Sequence, residues 1–129
     1  MYKLREKREK YRMAKLNVPV ELIEQYMSYA IADYAKWTRR GEEKGTSTQE
    51  ESIARFVIKY EVGSSYIKII QNTYWNQSVH SFIVNKAGKF AIGDVLKAAS
   101  WKAPATNFAR GKVADKATWA GRVTWTGVN

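Results

Sequence analysis

The sequence contains no cysteine, two prolines and a single histidine in 129 residues. Without cysteine there is no disulfide framework and no thiolate metal or redox site, a composition suited to a reducing interior. No apolar run approaches the roughly 18 residues needed to cross a bilayer. The basic opening also lacks the apolar block and small-residue cleavage site of a secretory leader. A cytoplasmic protein without membrane contact is therefore expected. Acidic side chains are scarce in the second half, where only Asp94 and Asp115 follow Glu61, so a paired-carboxylate site there would need both. Neither the P-loop nor the dinucleotide-binding glycine motif occurs, and Gly111-Lys112 alone is too short a match to count. With no nucleophile, metal cluster or cofactor loop in view, the expectation is a protein that is not an enzyme and that uses no metal and no cofactor. A hydrolase would have to be built from His80 and Asp94 as its acid/base pair.

What is present is enough apolar material, 45% of residues, for one core, so residues 1–129 read as a single domain. There is also a strong positive charge: 22 Lys and Arg against 12 Asp and Glu give +10. Residues 1–16 carry seven basic and two acidic side chains, residues 17–61 six and eight, and residues 62–129 nine and two. Four of the five tryptophans, all but Trp37, lie in the basic C-terminal half. Positive charge and stacking surface coincide there, the combination used to hold nucleotides and single strands.

The opening, 1–16, reads as a basic helical arm without a continuous apolar stripe, although Glu6 and Lys10 stand four apart. An amphipathic helix is expected over 17–41, with Pro19 at its first position and Gly41 at its end. Its apolar face is Leu22, Ile23, Tyr26, Met27, Ala30, Ile31 and Tyr34. The polar stretch from Gly41 to Ser52 reads as a loop. From Arg55 the period changes to two, with Phe56, Ile58, Tyr60 and Val62 on one side, and 55–129 is expected to be mainly β. Gly63-Ser64-Ser65 turns the chain into a second strand, Tyr66 to Thr73. A third strand, Ser78 to Val84, sets Val79 and Ile83 on one face and His80, Phe82 and Val84 on the other. Phe90 to Lys97 then returns antiparallel, and Trp119, Val123 and Trp125 mark a last strand. The fold class is α+β, an antiparallel sheet of about five strands packed against N-terminal helices.

Residues 75–110 concentrate groups suited to an anionic, ring-bearing ligand. Trp75, His80, Phe82 and Trp101 can stack on a base; Lys97, Lys102 and Arg110 can meet phosphates; Asp94 can accept from ribose hydroxyls or an exocyclic amine. Pro104 interrupts regular structure, so Lys102, Asn107 and Arg110 fall on a loop able to wrap a phosphate. Each group also has an ordinary structural reading. A lone strand histidine is commonly packed, Phe82 and Trp101 suit a core, and isolated lysines are usually solvated.

The segment SVHSFIVNKAGKFAIGDVLKAASWKAPATNFARG, residues 78–111, resembles a family of small phage proteins, the anti-Thoeris proteins that act as sponges for cyclic ADP-ribose signals. The resemblance rests on the SVHSF strand, the GDVLKAASWKAPA run and the following Arg110-Gly111, about a quarter of the chain. It implies counter-defence in the cytoplasm of an infected bacterial host. The ligand would be a cyclic nucleotide immune signal of the glycocyclic ADP-ribose type, or a cyclic oligonucleotide, sequestered without cleavage. It further implies self-association, as a dimer or a hexamer of dimers. Phe82 would match the aromatic that stacks on adenine, Asp94 the acidic residue after the strand turn, and Arg110 the arginine after the Lys-Ala-Pro-Ala loop. Lys89 to Ile92 are more apolar than that pattern. Sequestration requires a dissociation constant near nanomolar, about −12 kcal/mol, which favours an enclosed pocket completed by a second chain. The alternative partner is nucleic acid, gripped along its phosphates by the arm and the C-terminal half. A third reading is an inhibitor docking on an acidic host protein.

Overall fold

The computed structural model describes residues 14–40, 45–73 and 76–129, and it has an α+β architecture with helices over one face of an antiparallel five-stranded sheet. Helix α1 spans Val20–Thr38. Pro19 stands at its N-cap, one position before the expected place, and its carbonyl accepts from the amides of Leu22 (3.1 Å) and Ile23 (3.4 Å). Ile23, Tyr26 and Ala30 of the expected face are buried and Leu22, Met27 and Tyr34 half-buried, whereas Ile31 is 38% exposed. Tyr29 is used instead: its ring meets Trp119 edge-on at 5.3 Å and its hydroxyl donates to the Ala120 carbonyl. The buried face is turned toward Tyr29 because the surface it packs on includes the distant C-terminal residues. The helix stops at Thr38; Gly41, its expected end, lies outside the described residues, as do 1–13 of the expected arm. Ala14 to Leu16, the end of that arm, are not helical.

The expected loop up to Ser52 is corrected in part by a second helix, α2, Ser47–Arg55. Its start is a reciprocal capping box, with Thr46 Oγ1 accepting from the Gln49 amide and Gln49 Oε1 accepting from the Thr46 amide. Two orphan backbone donors are thereby satisfied, which lets a segment with no buried residue hold helical form. Arg39 reaches across to Glu50 with a two-pronged ion pair of 2.6 and 2.7 Å, joining the end of α1 to α2. Both side chains are exposed, so the pair orients more than it stabilises.

Strands β1 (Val57–Val62), β2 (Tyr66–Asn72), β3 (Gln77–Val84), β4 (Asp94–Lys97) and β5 (Gly111–Lys112) follow in sheet order, each antiparallel to the next. The return expected over Phe90 to Lys97 is shorter than its pattern. Gly93, at φ +94°, turns the chain just before Asp94, a conformation that favours glycine. The last expected strand is divided. Lys116–Trp119 form a short helix, α3, capped by Asp115, and Val123–Thr124 (β6) and Gly127–Val128 (β7) make a separate two-stranded hairpin.

The alternation expected along β3 is also corrected. Ile69 pairs with Ser81 and Ile70 with Val79, leaving His80 as the extra residue of a β-bulge. The bulge reverses the parity, so His80 and Ser81 both turn toward α1. Tyr26 approaches the His80 ring edge-on at 5.7 Å and its hydroxyl lies 2.7 Å from Ser81 Oγ. Val79 joins Phe82 and Val84 on the other face.

The core therefore has two layers. On the helix side Ile23, Tyr26, Ile67, Ile69, Ile83, Val95 and Trp119 are fully buried, each contributing about 1.5–3 kcal/mol of transfer free energy. Tyr34 stacks on Phe56 with centroids 4.3 Å apart, and Trp125 closes on both edge-on. The opposite face carries a smaller cluster, Phe82, Val84 and Leu96, overlain by Tyr66, Phe90, Ala98 and Ala109. Its cover is the loop 98–110, fastened by Ala105 N–H to the Lys97 carbonyl and Arg110 N–H to the Val95 carbonyl, both 2.7 Å. No helix among the described residues is long and apolar enough to cross a membrane.

Candidate ligand cleft

The loop-covered face carries two adjoining clefts. The first, about 320 Å³, lies between the β1–β2 turn and the loop and is lined by Glu61, Val62, Gly63, Ser65, Tyr66, Lys68, Phe82 and Lys102. The second, about 250 Å³, is lined by Ser65, Tyr66, Val84, Lys86, Ala87, Gly88, Lys89, Phe90 and Thr106. Ser65 and Tyr66 belong to both, so the half-buried Tyr66 ring is a partition between two lobes.

Strand geometry explains the cationic lining. Lys68 lies directly opposite Phe82 in the β2–β3 register, with Tyr66 two residues before it on the same side. Lys68 cannot enter the helix-side core, and its Nζ sits 4.5 Å from the centroid of the exposed Trp101 ring. This cation–π contact aims the ammonium along the rim of the first lobe. Lys89 donates to the Thr106 carbonyl and lies 5.5 Å from the Phe90 ring, so it ties the second lobe to the loop. The clefts thus hold Lys68, Lys102, Lys86 and Lys89 against one carboxylate, Glu61. This arrangement concentrates positive potential around aromatic edges and offers ammonium donors to phosphate oxygens.

Only some of the residues expected from the sequence meet here. Phe82 and Lys102 line the first lobe and Trp101 flanks it through Lys68. Phe82 is 2% exposed and packs edge-on against Tyr66 with centroids 6.0 Å apart, so it is cleft floor and core, without a free face for a base. Lys97 and Asn107 are exposed and outside both lobes. Arg110 is folded into its own loop. Its guanidinium lies 3.9 Å over the Phe108 ring and donates to the Phe108 carbonyl and to Asn107 Oδ1, at 3.2 Å each. Asp94 is 6% exposed and both its oxygens are engaged, one by Lys112 Nζ at 3.0 Å and one by the Ala91 amide at 3.1 Å. Trp75 lies outside the described residues.

His80 is on the other side of the sheet. Its Nε2 faces the Thr124 carbonyl at 2.8 Å, and a carbonyl only accepts, so Nε2 carries the proton. Nδ1 then accepts from Ser81, whose oxygen in turn accepts from the Tyr26 hydroxyl. Burial holds the ring neutral, its pKa lowered to about 4 despite the Thr124 bond, and burial also raises that of Tyr26. The Ser81–His80 contact resembles a nucleophile and base, but the two residues are 0% and 1% exposed. The sheet separates His80 from Asp94, so the only acid/base pair considered from the sequence is not assembled. Among the described residues no three His, Cys, Asp or Glu side chains are grouped for a metal ion.

Tyr66, Lys68, Lys86, Lys89 and Glu61 were not expected from the sequence. One signal did exist: Lys68 is the lone charge in the strand YIKIIQN, set between Ile67 and Ile69. Over residues 3–128 the chain matches the model of a family of unknown function. No curated protein and no solved structure matches it.

Proposed function

The chain belongs to DUF7717, a family of unknown function, and we propose that it binds a small anion bearing phosphates and rings in the Tyr66 cleft and holds it unchanged. The observation that carries this reading is the set of four lysines around a tyrosine-divided cleft with a single carboxylate. Two phosphates joined through riboses to an adenine offer anionic oxygens for both lobes and a ring for the Tyr66 edge. In the specific form drawn from the anti-Thoeris resemblance, the ligand is a glycocyclic ADP-ribose or cyclic oligonucleotide immune signal, sequestered in the cytoplasm of an infected bacterium. A second chain against the open cleft would enclose more of the ligand than one chain can.

A second reading is favoured by the shape of the site. The two lobes adjoin and are open to solvent, a track on which a single nucleic-acid strand could lie with bases against Tyr66 and Trp101. One screen tests both. Melting temperature is measured with cyclic ADP-ribose isomers, cyclic di- and trinucleotides and a short single-stranded oligonucleotide, and the ligand is recovered and chromatographed. A stabilising shift with intact cyclic nucleotide supports the sponge. A shift with the oligonucleotide alone replaces it with strand binding, altered ligand makes the protein an enzyme, and no shift removes the cleft as a nucleotide site.

A further inference from the structure

The sheet has two unequal edges. At one, β5 is two residues long and Lys112 is already bridged to Asp115. At the other, β1 is six residues long, free of proline and of bulges, and among the described residues no strand pairs with its outer side. Such an edge presents a row of unpaired backbone groups unless something covers it.

Which groups face outward follows from the turn. The Gly63 amide donates to the Tyr66 carbonyl at 2.9 Å, in the same register that pairs Val62 with Ile67. Backbone bonding alternates along an antiparallel pair, so Val57, Lys59 and Glu61 direct their N–H and C=O groups to β2. Ile58, Tyr60 and Val62 direct theirs away from the sheet. Any strand added at this edge must bond to those three.

We propose that the occupant is a second copy of the same strand, paired antiparallel about a two-fold axis at Tyr60. The outward groups limit the two-fold registers; centring on Ile58 or Val62 engages only one end of β1, and side-chain charge selects among the rest. Centring on Lys59 or on Glu61 sets like charges opposite each other, which destabilises a cross-strand pair. Centring on Tyr60 bonds Tyr60 to the partner's Tyr60 and Ile58 to the partner's Val62. It sets Lys59 across from the partner's Glu61, and Glu61 across from the partner's Lys59, at the close non-hydrogen-bonded positions. Both side chains are exposed and available for this. Val57, 48% exposed, then meets the partner's Gly63, which has no side chain to obstruct it. Lys59 and Glu61 thus form a self-complementary pair, as a two-fold interface requires.

Such a dimer merges two five-stranded sheets into one, with both helix layers on one side and both Tyr66 clefts on the other. Glu61 lines the first lobe, so the axis lies beside that lobe and the partner's Lys59 joins its rim. The dimer does not rest on the nucleotide reading and forms without any ligand.

The test is sedimentation equilibrium of the ligand-free full chain at about 0.15 M salt, with amide exchange followed at several protein concentrations. The unmodified chain is expected to dimerise, and the Ile58, Tyr60 and Val62 amides to gain protection as concentration rises. Lys59→Glu and Glu61→Lys each create two like-charge contacts and should raise the dimer dissociation constant by roughly tenfold or more, and the charge-exchanged double variant should restore it. Circular dichroism establishes that each variant is folded, and exchange in the unmodified chain gives an answer even if one is not. A monomer with concentration-independent exchange at these amides overturns the proposal, as does a dimer indifferent to both single substitutions.

Discussion

Asn17 donates two hydrogen bonds to Asn85, 68 residues away: its amide to Asn85 Oδ1 at 2.8 Å, and its Nδ2 to the Asn85 carbonyl at 2.9 Å. Asn85 Nδ2 spends its two protons on the carbonyls of Lys15 and Gly63, at 2.9 Å each. One fully buried side chain therefore fastens the segment before α1 to the β1–β2 turn at the end of β3. Asn85→Ala strands several of these groups and should cost about 3 kcal/mol. Denaturant unfolding measures it, and a midpoint equal to that of the unmodified chain would show that the clasp contributes nothing.

Phe82 is a stability residue before it is a binding residue. Phe82→Ala leaves a cavity beneath the loop 98–110 and should destabilise by about 4 kcal/mol, so any binding it loses reflects the fold. The ring that lines both lobes of the cleft is Tyr66. Tyr66→Ala should weaken nucleotide binding by about 1–3 kcal/mol while Tyr66→Phe stays near the original affinity. Calorimetric titration of both variants decides this, and undiminished affinity in a folded Tyr66→Ala protein would remove the stacking role.

The sequence periodicity carried the sheet, the first hairpin and most of the α1 face, because hydrophobic alternation and turn residues act locally. It did not carry the bulge at His80, which depends on how β2 is paired and reverses the side of every residue before it. The Thr46–Gln49 capping box was legible as a spacing, but the polar composition around it reads equally as a loop. At the site, Trp101 and Lys102 are exposed, while Arg110 and Asp94 look available until their partners Phe108, Asn107 and Lys112 are in place. A charge in sequence carries no mark of whether the fold has already satisfied it.

The neutral His80 makes stability depend on pH. Its folded pKa, about 4, lies below the ordinary 6.5, so between these values the unfolded chain binds a proton that the native chain refuses. Stability is full above pH 6.5 and falls as pH drops toward 4, by about 3 kcal/mol for a shift of this size. Below pH 4 this contribution levels off. Protonation would also place a donor at Nδ1 and reverse the hydrogen-bond chain through Ser81 to Tyr26. Unfolding free energies from pH 7.5 to 4 should show this limb in the unmodified chain and a flatter one in His80→Gln. Equal slopes in the two proteins would assign the acid sensitivity elsewhere.

Charge reversal in the cleft separates a small ligand from a strand. Lys68 and Lys102 share the first lobe, so Lys68→Glu and Lys102→Glu should each weaken an anionic ligand by on the order of 2 kcal/mol, roughly thirtyfold. Arg122, which donates to the Asn129 carbonyl outside the cleft, serves as the control: Arg122→Glu changes net charge equally and should leave a cleft-bound ligand nearly unaffected. Salt dependence supplies the second axis. A single strand crossing all four cleft lysines would lose affinity with a slope of about −3 against the logarithm of salt, whereas a ligand with two phosphates gives a much shallower line. If Arg122→Glu weakens binding as much as the cleft variants do, the positive field of the whole molecule is responsible and the Tyr66 cleft is not the site.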